Sequence, residues 1–174
     1  RKYISSVGGG NSLGGEKNKE ANLYNFEGKF ILPGLIDAHC HLTLPGDEKS
    51  NDEYISDYVQ SSPQSRLIDT AVKNCRKAVQ SGVTTVADLG SKDNIIFEIR
   101  KTRKEKNTGM PRVLVSGTPL TKPGGHCSYF GGEVKTEADI SRKIRSLAEK
   151  GADVIKVIAS GGWTPGGASP WDSS

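Results

Sequence analysis

An α/β fold built on parallel strands is predicted from three observations in this 174-residue sequence. Short β-branched runs at 83–89, 112–116 and 153–159 alternate with helical stretches of 10 to 15 residues. The helical stretches carry apolar residues at the three-to-four spacing of a single buried face. Glycine or proline stands at the joints. Such alternation means βαβ units with right-handed crossovers.

Residues 1–32 are set apart as a first domain. Two β-like runs, 2–7 and 26–31, flank a glycine-rich stretch at 8–15 and a polar Glu/Lys/Asn segment. They read as the edge of a small sheet whose other strands lie elsewhere. Glycine is costly to order, so the middle reads as a mobile loop. It lacks the Lys-Ser/Thr and helix opening of a phosphate cradle.

Residues 33–174 form the second domain. The run 31–42 is the first strand, ending in His39 and His41. Residues 43–53 are polar and turn-rich and are expected on the surface. Pro63 opens a helix over 64–80, with Leu67, Ala71, Cys75, Ala78 and Val79 at helical spacing and Gly82 past its end. The second strand, 83–89, stops at Gly90. A helix over 93–106, a third strand at 112–116, a helix over 137–150 capped by Thr136 and ended by Gly151, and a fourth strand at 153–159 follow. A long flexible loop at 159–171 carries both tryptophans and could fold over a pocket.

The net charge is +4, from 24 Lys+Arg and 20 Asp+Glu. The one basic cluster, 100–106, reads as the solvated end of a helix. No aromatic residues interleave with it, so nucleic acid is not an expected partner. No apolar run approaches the ~20 residues that cross a bilayer, and no secretory signal is visible. Three cysteines without a CxxC pair fit a reducing, cytoplasmic compartment rather than a disulfide framework. Arg1 is not an initiator methionine, so the chain is expected to belong to a longer product.

Chemistry is concentrated at strand ends. In an extended strand alternate side chains share a face, so His39 and His41 project together and can grip one metal ion, while Cys40 turns to the core. The competing reading is a chance His-x-His at a polar strand end. Lys156 interrupts Val154, Ile155, Val157 and Ile158, a run expected to be covered on both faces. Burial favours a neutral amine, which can react with carbon dioxide to give a carbamate able to bridge two ions. The alternative is a lysine snorkelling outwards or paired with Asp88 or Asp153.

His126, flanked by glycines at 124–125 and 131–132, is a candidate substrate contact or simply an exposed loop histidine. Asp88 is a supporting hydrogen-bond acceptor or only a turn residue. An open doubly wound sheet and part of a closed barrel both fit the alternation. The placement of His39, His41, Asp88, His126 and Lys156 at or beyond successive strands favours the barrel, where such groups meet at one mouth. A nucleotide-binding sheet would need a glycine fingerprint between strand and helix, and none is present.

Four segments resemble the amidohydrolase superfamily, in its imidazolonepropionase-like branch with the Xaa-Pro dipeptidase-type enzymes. They are Pro-Gly-Leu-Ile-Asp-Ala-His-Cys-His-Leu at 33–42, Gly-Val-Thr-Thr-Val-Ala-Asp-Leu-Gly at 82–90, residues 111–117 with 124–126, and residues 151–162. The resemblance implies a partial TIM (β/α)8 barrel, its first four βα units, with a remnant of an N-terminal β-sandwich. It implies one or two divalent ions, zinc foremost, held by His39, His41 and a carboxylated Lys156. The reaction implied is metal-dependent hydrolysis of a C–N bond in an Xaa-Pro dipeptide or a cyclic amide.

The departures are two. Family members often carry Arg-Asp where this chain has Ala87-Asp88. The family also draws histidines from strands five and six and a catalytic aspartate from strand eight, and this chain has no histidine after His126. With ~250 residues typical of such a barrel, the sequence is expected to be an incomplete and by itself inactive fragment. It would associate with itself or with the remainder of the enzyme. The alternative is a non-catalytic scaffold that binds a small ligand or a protein partner.

Overall fold

The computed structural model describes residues 7–8, 24–46, 51–93, 95–106, 109–162 and 171. The expected run at 2–7 and the glycine loop at 8–15, apart from Val7 and Gly8, lie outside them, as does most of the tryptophan loop. The chain divides into two units, Arg1–Pro33 and Gly34–Ser174.

In the first unit the expected strand at 26–31 is not formed. Lys29 N–H donates to the Phe26 carbonyl at 2.9 Å. Gly28, with φ of 72°, turns the chain there, a conformation that costs a residue without a Cβ little.

The second unit carries three parallel strands in the order β1 (Leu35–Cys40), β2 (Val83–Asp88) and β3 (Arg112–Val115). Strand β1 starts later than the run 31–42 suggests, because Pro33 has no N–H to give a ladder. Its first ladder-side bond, Leu35 N–H to Gly82 O, measures 2.9 Å. Cys40 stands opposite Asp88, and Asp88 opposite Val115, so the three strands end level. The loops that follow them therefore share one edge of the sheet.

Four helices accompany the strands: α1 (Asp52–Ser61), α2 (Gln64–Gln80), α3 (Ile95–Lys106) and α4 (Glu137–Glu149). In α2 the four-residue spacing of Leu67, Ala71 and Cys75 makes one fully buried stripe, as the periodicity predicts. Gly82 releases the chain at φ of 83°. The Thr136 hydroxyl accepts from Asp139 N–H while the Asp139 carboxylate accepts from Thr136 N–H, a reciprocal cap that satisfies donors otherwise orphaned at the start of α4.

Helix α1 lies outside the sequence reading; of residues 43–53, expected on the surface, 47–50 lie outside the described residues, Gly46, Asn51 and Glu53 are exposed, and Thr43 is not. The Asn51 carboxamide accepts from Tyr54 N–H at 2.7 Å, and Asp52 and Glu53 complement the positive end of the helix. Only Ile55, Tyr58 and Val59 are buried, a stripe too narrow to stand out among polar neighbours. Thr43 is 1% exposed.

The fourth strand is a second correction. Residues 153–159 make a single parallel bridge, Leu120 to Val157, in place of a ladder. The segment beside them breaks the ladder, since Gly117 sits at φ of 70° and Pro119 lacks an N–H. Asp153 also intervenes: its carboxylate accepts from Val115 N–H at 2.9 Å and from Arg100 at 2.7 Å. The backbone still tracks β3, with Leu120 N–H donating to Lys156 O and Ile158 N–H to Leu120 O, both at 2.8 Å.

Two apolar clusters fix these elements. Ala71, Cys75, Val86, Ile96, Ile99, Val113 and Val115 fill the space between the sheet and helices α2 and α3. Ile55, Tyr58, Val59, Leu67, Ile95, Cys127 and Phe130 pack under the loops at the strand ends. Each buried Ile or Leu contributes roughly 1.5–3 kcal/mol by removal from water. Among the described residues no helix is long and apolar enough to cross a membrane.

Candidate functional site

His39 and His41 leave the end of β1 on the same side, as alternation requires, with ring centroids 5.5 Å apart and planes at 66°. Cys40 turns inward, its thiol reaching Ala87 O at 3.5 Å, and burial pushes its pKa up to about 12. All three cysteines are free.

His41 is held by Gly90 and Phe130. Its Nδ1 lies 3.0 Å from the Gly90 carbonyl, which can only accept, so Nδ1 carries the proton and Nε2 keeps the lone pair. The ring stacks on Phe130 at 5.7 Å and 22°. A Cβ at Gly90 would stand 3.0 Å from His41 Cε1 and 3.3 Å from Phe130, so glycine is what lets the two rings lie over that backbone.

Asp88 supports this arrangement through the backbone. Fully buried, it accepts from Leu42 N–H at 2.7 Å and from Gly90 N–H at 3.2 Å. It thus ties the residue after His41 to the residue that grips His41. Burial raises its pKa to about 7, against the pull of those two N–H groups. It is neither a bare turn residue nor a direct contact of the imidazoles. Asn74 of α2 adds a further tie, donating to the carbonyls of Leu42 and Leu44 at 2.9 Å each.

Desolvation and the Lys156 ammonium lower the pKa of both histidines. For His41 desolvation is largest, followed by the opposing Gly90 bond, and for His39 the Asp37 carboxylate offsets part of the fall. His126 also depresses His41. The four nitrogen-bearing side chains therefore gather at one end of the sheet.

The ground for Lys156 differs from the one expected. The residue is half-buried, and its neighbours Val154 and Val157 are exposed, so the segment is not covered on both faces. Neither proposed counter-ion serves it, since Asp153 is engaged by Arg100 and Asp88 by backbone N–H groups.

His126 is not a surface histidine. Its side chain is 16% exposed and faces Asp52, 17% exposed, with Nδ1 3.8 Å from Oδ2. The chain reverses beside it through Gly124 at φ of 67° and Cys127 at 61°. Asp52 escaped the sequence reading. The signal that could have found it is the helix start itself, an Asn cap before two acids and a narrow apolar stripe.

Among the described residues no group of three or more His, Cys, Asp and Glu is arranged to hold a metal ion. What is present is a pair of imidazoles with a neighbouring amine. One imidazole is locked with Nε2 free, which suits part of a coordination shell for a zinc-like ion.

A sequence profile described as the Amidohydrolase family matches residues 30–173. The ochratoxinase of Aspergillus niger is 29% identical over 163 residues, covering 76% of this chain and 31% of that protein. An uncharacterised protein of Mycobacterium tuberculosis is 26% identical over 139 residues, covering 79% and 31%. The chain thus spans about a third of the length of these relatives. A crystal structure of an amidohydrolase superposes with a TM-score of 0.74 at 24% identity, over 91% of this chain and 41% of that one. A Xaa-Pro dipeptidase with methionine in its active site gives 0.63 at 21%, over 82% and 39%. At those identities the two structures speak for the fold.

Proposed function

This chain belongs to the amidohydrolase family, and from that premise we propose that it is part of a divalent-metal-dependent hydrolase of amide-type C–N bonds. The substrate class is a small amide, an Xaa-Pro dipeptide or a cyclic amide, with the remaining catalytic groups, including the acid-base aspartate, supplied by residues outside these 174. The observation that carries the reading is the locked His41 ring, whose Nδ1–H is spent on Gly90 and whose Nε2 is left free beside His39.

His39 and His41 would hold the ion, zinc by preference, and Lys156 would join them as its carbamate if a second ion is bound. An ion there supplies Lewis acidity toward the amide oxygen and an acidified water. This chain's own residues orient the imidazoles, exclude solvent behind His41 through Phe130, and place His126 to receive substrate. The lowered pKa values of His39 and His41 keep both rings neutral, the state a ligand needs.

The test uses cobalt as a visible substitute for zinc. Titration into the chain should develop ligand-field absorption that H39Q and H41Q each abolish. Metal dependence fails if the chain joined to the rest of such a barrel cleaves Xaa-Pro dipeptides equally well before and after chelation, and the hydrolase reading fails if it cleaves none. A second reading, a scaffold that binds a ligand without hydrolysing it, draws on the lack, among the described residues, of a group of three or more His, Cys, Asp and Glu around one point. It gains if the joined protein binds a dipeptide without turnover.

A further inference from the structure

Three distant segments meet around His126. Asp52 opens α1, His126 lies in the loop beyond β3, and Gly162 follows the segment that runs beside Leu120. A Cβ on Gly162 would overlap the imidazole, so the glycine is the slot that admits the ring. The two ring nitrogens differ. Nδ1 is sealed from solvent with no hydrogen-bond partner, as is Oδ1 of Asp52, and Nδ1 is the nitrogen turned to that carboxylate.

We propose that Asp52 is a positioning residue that holds His126 with Nδ1–H turned to its carboxylate, leaving the Nε2 lone pair to address the substrate. A neutral imidazole has one N–H and one lone pair. A sealed lone pair facing a carboxylate would be repelled, so the sealed nitrogen is the protonated one. The 3.8 Å separation is longer than a hydrogen bond. It is the open form of a contact that tightens when substrate fills the site. Asp52 therefore does for His126 what the Gly90 carbonyl does for His41: it selects the tautomer. The same arrangement explains why an acidic residue at a helix start is largely buried and not left in solvent.

The substrate-facing role of Nε2 rests on the hydrolase reading, but the tautomer does not, and it is measured without substrate or metal. The full chain, labelled with ¹⁵N and treated with chelator at about pH 9, above the usual imidazole range, is observed by long-range ¹H–¹⁵N correlation. Its three histidines are assigned by H39Q, H41Q and H126Q. His126 should be chiefly the Nδ1–H tautomer in the unaltered chain and in D52N, whose amide oxygen still accepts. In D52L, which has no acceptor, it should shift to chiefly Nε2–H. Finding Nε2–H as the main form in the unaltered chain overturns the proposal even if no variant folds. So does an unchanged tautomer in a folded D52L. Absence of hydrolysis by a joined enzyme with the expected tautomer would instead count against the hydrolase reading alone.

Discussion

Strands β1 and β2 lie side by side, each six residues long, yet their surroundings are opposite. Strand β2 is partly or wholly buried except at Thr84, with Val86 and Asp88 fully covered. Every residue of β1 is exposed apart from Cys40, and Leu35 and Ile36 stand 57% and 70% exposed. The imidazole pair is thus carried by the less protected strand. Its geometry cannot depend on burial along β1. It depends on ties at the strand's end, namely Asp88 to Leu42, Gly90 to His41, and Asn74 to Leu42 and Leu44. Order along β1 is borrowed from β2 and from the loop beyond it.

The contrast is broken most forcefully by paired truncations. Ile96→Ala beneath β2 should cost roughly 2–5 kcal/mol, because it empties a fully buried site. Ile36→Ala on β1 should stay within about 0.5 kcal/mol. Urea midpoints at constant slope measure both. Equal costs would mean that β1 is covered in solution, by a second copy or by another partner.

Gly90→Ala sharpens it at the strand ends. The added methyl would press on His41 and Phe130, so cobalt or zinc affinity should fall about 10–100-fold, as it does when a ligand's support is disturbed. The urea midpoint should move little. A parallel loss of stability and affinity would show that Gly90 serves the fold alone.

The smallest expected effect is a pH dependence with two arms. Asp88 has a folded pKa of about 7, above its ordinary value of 3.8, so the folded state binds the extra proton. Stability should therefore decline as pH rises from about 4 to about 7. His39 and His41 have lowered folded values, so the unfolded chain binds more protons below 6.5, and stability should rise towards that pH. The arms oppose each other where they overlap. D88N removes only the declining arm, and denaturation curves of this variant should rise or stay level between pH 4 and 7. A decline that survives in D88N would place the buried proton on another group.

Much of this molecule was legible in the chain. The helix over Gln64–Gln80, the strand at 83–88 and the capped helix from Glu137 follow from periodicity and end signals that act over a few residues. The shared side of His39 and His41 follows from strand alternation alone. What escaped depends on contacts between distant segments. Helix α1 buries only three side chains, and its reason for forming is the loop around Phe130 that it packs against. The segment at 153–159 has strand-like composition, but its neighbour offers a glycine turn and a proline where a ladder needs N–H groups.

Taken alone, the sequence determined strands β1 to β3 and helices α2 to α4 in their order, the pairing of two histidines on one side of β1, and the inward turn of Cys40. These are local matters of backbone period and side-chain chemistry. Only the tertiary structure decided that Asp88 works through backbone N–H groups, that Gly90 selects the His41 tautomer, and that Asp52 reaches His126 across 73 intervening positions. Hydrogen bonds and desolvation depend on distances of a few ångströms between groups that the chain keeps far apart until it folds.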